Sequence, residues 1–482
     1  MSAVCAVAVL SCGRTAPERQ AIADAATAMG GRKAIVAIKT LTIDGKGDAP
    51  NVGQNTMPDS ALPNWKVTEF TRVIDLKQHR MRTQQVRTAQ FLFAGANTQR
   101  QAQGLDGDVA FNIGVDGKAV RASEAVMKDR RLEMLHHPLV IVRLALDDDA
   151  IRMNGFRTTG SQNVVELDTG HDEHITLAFD AATKLPTRMT SLSYNANLGD
   201  VSIDTAFSDY EDVDGIKLPT HLTTKIDKYP QFDVRVTKNT IDANVEELSA
   251  PDKVKGAAPP PTVAPVTVTA QPVAKGIWWL AGSGNHRSVV FEFDDHLVLF
   301  EVPVNEARSK AVIEKARSLS PKPLTDVIIS HHHFDHSGGL RVAVAEGLTV
   351  ITHKDNVPFF KELLARKHSI VKDALAQHPQ ELKVLPVDDS MTLKDNSMEV
   401  QLYHLLDNPR EGTNLFAYVP RDRILVQADL YDSTWQFHHW GENVITNIEQ
   451  IRKLKVDKQV PVHGEIQTYA QMVKTIRSAP RS

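Results

Sequence analysis

The residues best suited to chemistry form one short cluster after the apolar run Asp326–Ser330, which we predict to be a buried strand. The cluster reads His-His-His-Phe-Asp-His over residues 331–336. Alternate residues of an extended segment share a face, so His331 and His333 can point at one metal ion. Asp335 and His336 come from the turn that follows and can hold a second ion. Imidazole and carboxylate are ligands that Zn²⁺ takes, so we predict a metal site rather than a surface His-rich tract.

A divalent ion at such a site predicts hydrolytic chemistry. A bound dication can lower the pKa of its water to about 7, which gives a metal-bound hydroxide at neutral pH, and it also polarises the substrate oxygen. We expect Asp335 to orient that hydroxide and to accept or shuttle a proton. Neither Ser nor Cys is placed as an obvious covalent nucleophile, so direct hydrolysis is predicted.

The elements around the cluster resemble those of the metallo-β-lactamase superfamily, whose signature is His-x-His-x-Asp-His. The resemblance covers residues 273–480, and residues 277–293 look like the opening hairpin of that fold. It implies a four-layer αββα sandwich with the metals at one edge. It also implies six metal ligands, which are His331 and His333 in the first site, Asp335, His336 and His463 in the second, and Asp429 as the bridge.

One position departs from the family pattern. The segment 407–420 places Arg410 where the third His of the first site is expected. Arginine offers no lone pair and stays charged. The first site then keeps at most His331, His333 and Asp429, with His404 as an alternative ligand six residues upstream.

The resemblance also bears on the substrate. Asp429 at the bridging position is more similar to the thioesterase and lactonase branches, such as glyoxalase II, than to β-lactam-opening members, which place Cys or Ser there. We therefore predict a zinc-dependent hydrolase, with one or two ions, acting on an ester, lactone, thioester or related bond of a small molecule. β-Lactam hydrolysis is a lesser alternative. Arg410 motivates an alternative of another class, an exported non-catalytic ligand-binding protein with a degenerate hydrolase domain.

The chain divides near residue 250, at a Pro-rich stretch that predicts a semi-rigid linker over residues 249–272. Residues 18–248 show alternating segments separated by turn signals, with helices predicted over residues 18–29 and 123–146. They predict a curved antiparallel sheet packed on helices, which resembles the half-barrel of periplasmic lipoprotein carriers. The fold class is thus α+β, with residues 273–482 as the metallo-β-lactamase-like domain. The adjacent His136 and His137 are expected to be structural rather than metal ligands.

The first 17 residues resemble a secretory signal, and the sequence before Cys12 resembles a bacterial lipoprotein cleavage box. This predicts an exported protein, periplasmic or anchored by lipid at Cys12. The alternatives are a short apolar tail on a cytosolic protein and a signal peptide that a misplaced start has shortened. A net charge of −4 over 482 residues gives no footprint for nucleic acid, and no apolar run reaches the length of a membrane span. The oligomeric state is not indicated.

Overall fold

The computed structural model describes residues 16–92, 97–147, 150–171 and 173–480. Cys12 and the predicted signal up to residue 15 lie outside the described residues. Within them the chain is a mixed α+β structure with three β-sheets, one in the N-terminal part and two in the C-terminal part. None of the helices in the described ranges combines the length and the apolar character needed to cross a membrane.

The N-terminal sheet is antiparallel and contains thirteen strands among the described residues. These are β1 Thr40–Pro50, β2 Asn64–Asp75, β3 Arg80–Ala89, β4 Thr98–Asp106, β5 Val109–Ile113, β6 Ala119–Arg121, β7 Arg152–Thr159, β8 Gln162–Asp168, β9 His174–Asp180, β10 Pro186–Asn195, β11 Gly199–Val213, β12 Ile216–Ile226 and β13 Tyr229–Ile241. Two meanders, β1 to β6 and β7 to β13, join where β1 pairs with β13.

One face of this sheet packs on helices. In β9 the alternate residues Ile175, Leu177 and Phe179 are buried, as a strand with one core-facing side requires. The helices of this part are α1 Pro17–Ala28, α2 Arg32–Ala37, α3 Glu124–Leu135 and α4 Pro138–Asp147. They share one hydrophobic core with the sheet. The half-barrel form of the sheet stays a prediction.

The helix predicted over residues 123–146 is wrong as one continuous element, because α3 and α4 are separate. The break lies at His136 and His137, since the ring of Pro138 disfavours helical backbone in the residue before it. His136 is buried, with Nδ1 2.8 Å from Thr205 Oγ1 and Nε2 2.8 Å from Ser191 Oγ. Burial lowers its pKa to about 4, which fits the structural role expected.

The predicted linker contains regular structure at both ends. Helix α5 spans Asp252–Lys255, and its Val254 is buried beside Phe111 of the N-terminal sheet. The strand β14 already begins at Val268. Pro272 is tolerated there because β14 is an edge strand.

The C-terminal part contains two further sheets. The first comprises β14 Val268–Ala274, β15 Ile277–Gly282, β16 Ser288–Glu292, β17 Leu297–Phe300, β18 Leu324–Ile328, β19 Thr349–His353 and β20 Lys383–Val387. The second comprises β21 Ser390–Lys394, β22 Glu399–His404, β23 Leu415–Val419, β24 Ile424–Gln427, β25 Lys458–Pro461 and β26 Gln467–Thr468. Residues of both sheets form one core, to which the first sheet contributes Phe291 and Phe300 and the second contributes Leu402 and Val460.

Helices contribute to separate clusters with each of these sheets. They are α6 Glu306–Arg317, α7 Phe334–Ser337, α8 Leu340–Ala345, α9 Val357–Ala365, α10 Ala374–Gln377, α11 Gly441–Thr446 and α12 Tyr469–Ser478. The four-layer form and the predicted domain boundaries stay predictions.

The position of the site depends on strand direction. β17 and β18 are parallel, as are β24 and β25, so the carboxyl ends within each pair meet at one edge of their sheet.

Candidate metal centre

The predicted ligands follow the carboxyl ends of three strands. His331 follows β18, Asp429 follows β24 and His463 follows β25. Asp429 has a left-handed backbone with φ of 60°, a conformation that Asp tolerates better than most residues. Strain of this kind tends to cluster at functional sites, because the surrounding structure must hold it in place.

Three ligand atoms, from His336, Asp429 and His463, lie at the distances from one another that a metal site requires. His336 Nε2 lies 3.2 Å from His463 Nε2, and each of these nitrogens lies 3.1 Å from Asp429 Oδ1. Zinc bonds of about 2.0–2.1 Å in a tetrahedron separate neighbouring ligand atoms by about 3.3 Å. Asp335 Oδ2 lies 3.4 Å from His336 Nε2 and 3.9 Å from His463 Nε2, so it can serve as a fourth group. The residues present therefore fit a divalent ion.

In both imidazoles of this group, a hydrogen bond made by Nδ1 holds the ring in its orientation. His336 Nδ1 lies 3.0 Å from Glu301 Oε2, and His463 Nδ1 lies 2.9 Å from the carbonyl oxygen of Asn285. When each Nδ1–H donates to an oxygen and the imidazole is neutral, Nε2 presents its lone pair to a bound ion. Such outer partners fix the tautomer and the ring orientation of metal-binding histidines.

The first-site residues also lie together, since ligand atoms of His331, His333 and Asp429 are within 4.8 Å of one another. His331 Nε2 lies 3.0 Å from His333 Nδ1, again the spacing of two ligands on one ion. Arg410, 7% exposed, donates from Nη2 to Asp429 Oδ2 at 2.7 Å, whereas His331 Nε2 is 4.0 Å from that oxygen. The two oxygens of the Asp429 carboxylate thus have different partners. Oδ1 lies beside His336 and His463, and Oδ2 accepts from the guanidinium of Arg410.

His404 does not join these groups of potential ligands, as far as the described residues show. Its Nε2 lies 2.9 Å from the carbonyl oxygen of Gly412, and its ring lies 4.2 Å from that of His353.

Sequence reasoning missed four residues of this centre, which are Glu301, His286, Glu411 and Gln54. His286, in the loop after β15, places Nε2 3.4 Å from Asp335 Oδ2. Glu411 is buried, with Oε1 3.3 Å from His332 Nδ1 and Oε2 2.7 Å from His333 Nε2. The fourth, Gln54, comes from the N-terminal part.

Burial and neighbouring charges both shift the pKa values of these groups. Burial lowers the pKa of His331 well below its usual range, so its imidazole is neutral and keeps a lone pair. Burial opposes ionisation of Asp429, yet His336 and Arg410 hold the pKa of that carboxyl well below its ordinary value. The pKa of Glu411 is likewise held well below its usual range by the neighbouring histidines, against the effect of burial. Ionised, buried carboxylates favour a bound cation.

The comparisons with known proteins agree with this geometry. Residues 281–389 match the family model described as Metallo-beta-lactamase superfamily, and the match includes the cluster at residues 331–336. This match confirms the predicted resemblance to that superfamily within the C-terminal part. No match was found among curated proteins.

Similar solved structures include three metallo-β-lactamases. The one from Pontibacter korlensis is 14% identical and matches 44% of this chain and 100% of its own, with a TM-score of 0.35. The one from Hirschia baltica is 13% identical, with 45% and 99% covered and a TM-score of 0.36. FIM-1 from Pseudomonas aeruginosa is 15% identical, with 45% and 96% covered and a TM-score of 0.36.

Proposed function

We propose that the protein is a hydrolase that uses one divalent metal ion, zinc, held by Asp335, His336, Asp429 and His463. The observation that carries the proposal is the convergence of two imidazole nitrogens and one carboxylate oxygen at 3.1–3.2 Å from one another. The family match over residues 281–389 supports the class of chemistry.

The reaction we propose is direct hydrolysis without a covalent intermediate. A bound divalent ion supplies Lewis acidity and lowers the pKa of the water it binds. The side chain of Asp335 is 30% exposed, so its carboxylate lies at the accessible side of the centre and can orient water and accept its proton. His286, whose Nε2 is 3.4 Å from Asp335 Oδ2, can pass that proton onward.

The division of the Asp429 carboxylate supports one ion rather than two. In a two-metal site Asp429 would use one oxygen for each ion. Here Oδ2 accepts a charge-assisted hydrogen bond from Arg410 at 2.7 Å. The guanidinium therefore takes the place of a first-site ion, and it can pair with an anionic group of the substrate.

The proposed substrate is a small molecule with an ester, lactone, thioester or related bond, and Asp429 at the bridging position supports this choice over a β-lactam. The non-catalytic ligand-binding protein remains the competing proposal, motivated by Arg410. Export, with lipid attachment at Cys12, is also proposed.

We further propose that the N-terminal sheet forms a half-barrel around α3. A cavity of about 570 Å³ supports this proposal. It is lined by residues of α3 and of eight neighbouring strands of the sheet, β1 to β4 and β10 to β13. Gln101 on β4 and Tyr194 on β10 both line it, although β3, β2, β1, β13, β12 and β11 lie between these two strands in the sheet. A sheet has to curve to bring such residues around one cavity.

The proposed function is tested by turnover assays on the full-length, zinc-supplied protein with a generic lactone, thioester, phosphodiester and β-lactam. We expect hydrolysis of the lactone or thioester, and a loss of at least 100-fold in kcat for Asp335→Asn, since general base contributions are about 10²–10⁴-fold. The matched control is His378→Ala, an exposed histidine, which should keep full activity. Hydrolysis that is equal in Asp335→Asn would contradict the assigned role. No turnover of any substrate by the zinc-loaded protein would favour the binding protein.

A further inference from the structure

A segment of the N-terminal part reaches the candidate metal centre of the C-terminal part. Residues 51–57, called the insertion segment here, begin the connection between β1 and β2. The carbonyl oxygen of Asn55 accepts from His333 Nε2 at 2.9 Å, and the amide of Gly412 donates to the carbonyl oxygen of Thr56 at 2.9 Å. The backbone of the insertion segment is thus held directly against the metal-binding edge.

The approach of this segment depends on a glycine. Gly53 has φ of +77°, a left-handed conformation that glycine adopts without strain. A Cβ at this position would lie 2.2 Å from Cδ2 of Phe334, the residue between His333 and Asp335. Only glycine therefore allows the segment to lie this close to the metal-binding turn.

Gln54, the next residue, uses both ends of its side-chain amide at the centre. Its Nε2 donates to Asp335 Oδ1 at 2.8 Å, and its Oε1 accepts from Arg410 Nη2 at 3.1 Å. With Oδ1 engaged in this way, Oδ2 of Asp335 faces His336 and His463. One amide thereby fixes the orientation of a candidate ligand and of the guanidinium that pairs with Asp429.

We infer that Gln54 is a positioning residue of the metal centre, so that the N-terminal part completes a site whose ligands all come from the C-terminal part. This inference rests on the proposed function, since it requires an ion at Asp335, His336, Asp429 and His463. Asp335 is the most exposed of these four residues, so its carboxylate depends most on a partner that holds one rotamer. Loss of an outer partner of a metal ligand typically weakens metal binding about 10–100-fold.

The test is the zinc dissociation constant of the full-length protein, measured by competition with a chromogenic chelator for wild type, Gln54→Leu and Gln54→Glu. We expect both variants to bind zinc 10–100-fold more weakly, with unchanged circular dichroism and unchanged melting of the metal-free protein. Gln54→Glu keeps an acceptor for Arg410 but places a carboxylate against Asp335, so it reports on the contact with Asp335. The matched control is Gln20→Leu, because exposed Gln20 also donates to an aspartate, Asp24, at 2.8 Å.

The outcomes separate this inference from the proposed function. Wild-type affinity in both Gln54 variants would overturn the inference and leave the proposed function standing. Weaker binding in Gln54→Leu alone would overturn positioning through Asp335. If Gln54→Leu does not fold, Gln54→Glu decides by the same criterion. A wild-type protein that retains no zinc would contradict the proposed function, and the inference would fall with it.

Discussion

Replacement of Arg410 by histidine should convert a one-ion centre into a two-ion centre. A first-site ion bonded to Asp429 Oδ2 would lie about 2.1 Å from that oxygen. Arg410 Nη2 is 2.7 Å from the same oxygen. The ion and the guanidinium nitrogen would therefore be at most about 4.8 Å apart, and the repulsion between +2 and +1 at this distance is at least about 7 kcal/mol at an effective dielectric of 20.

That repulsion alone corresponds to about five powers of ten in affinity, before nearby carboxylates offset part of it. Arg410→His removes the charge and supplies the missing lone pair beside His331 and His333. Arg410→Met is the matched control, because it removes the charge without adding a ligand. We expect about one tightly held zinc per chain for the unmodified protein, a value approaching two for Arg410→His, and an intermediate value for Arg410→Met.

The assay is elemental analysis after dialysis against the same buffered zinc concentration for all three proteins. Two tightly held ions in the unmodified protein would refute the reasoning, since the guanidinium would then not displace the first ion. A value near one in Arg410→His would show that position 410 does not complete the first site.

Three further predictions follow from other parts of the chain. His136 has its pKa lowered to about 4 by burial, so at pH 5 the unfolded imidazole, with an ordinary pKa of about 6.5, binds a proton that the folded one does not. The free energy of unfolding should therefore fall by about 2 kcal/mol from this residue between pH 7.5 and 5, and denaturant titrations should show a smaller fall for His136→Gln. Gly53→Ala should lower the melting temperature more than Gly107→Ala, because both have positive φ but only the first Cβ meets another residue, Phe334. If Cys12 is lipidated, the mature protein starts there and fractionates with bacterial membranes, whereas Cys12→Ala should be soluble or unprocessed; an unmodified Met1 peptide on the mature protein would contradict this.

The local part of the centre was predictable from the sequence, because its geometry depends on short-range spacing. His331 and His333 share a face of an extended segment, and their nitrogens lie 3.0 Å apart. Asp429 and His463 were assigned through the family resemblance, since each follows a strand of recognisable pattern. The structure places both within 3.1 Å of each other.

The residues that sequence reasoning missed depend on long-range packing. Gln54 is 281 residues from Asp335, and no local pattern connects the two. His286 lies in a hairpin loop outside the His-x-His-x-Asp-His motif, and Glu411 reaches His332 and His333 only through the fold. For His286, a histidine beside the opening hairpin was the available signal.

In the N-terminal part, too, local features were predictable from the sequence and long-range pairings were not. Helix α1, Pro17–Ala28, lies within one residue of its prediction over residues 18–29 at each end, since the glycine pair after it ends the helix. The pairing of β1 with β13 joins residues about 200 positions apart, and periodicity cannot predict it. The break before Pro138 was visible in the sequence but was outweighed by the helical spacing of the apolar residues around it.

The most direct measurement of the central claim is an anomalous-scattering map at the zinc edge from crystals of the zinc-supplied protein. We predict one strong peak per chain, about 2 Å from His336 Nε2, His463 Nε2 and Asp429 Oδ1, with no peak between His331 and His333. The absence of any peak, or any peak between His331 and His333, would contradict this prediction.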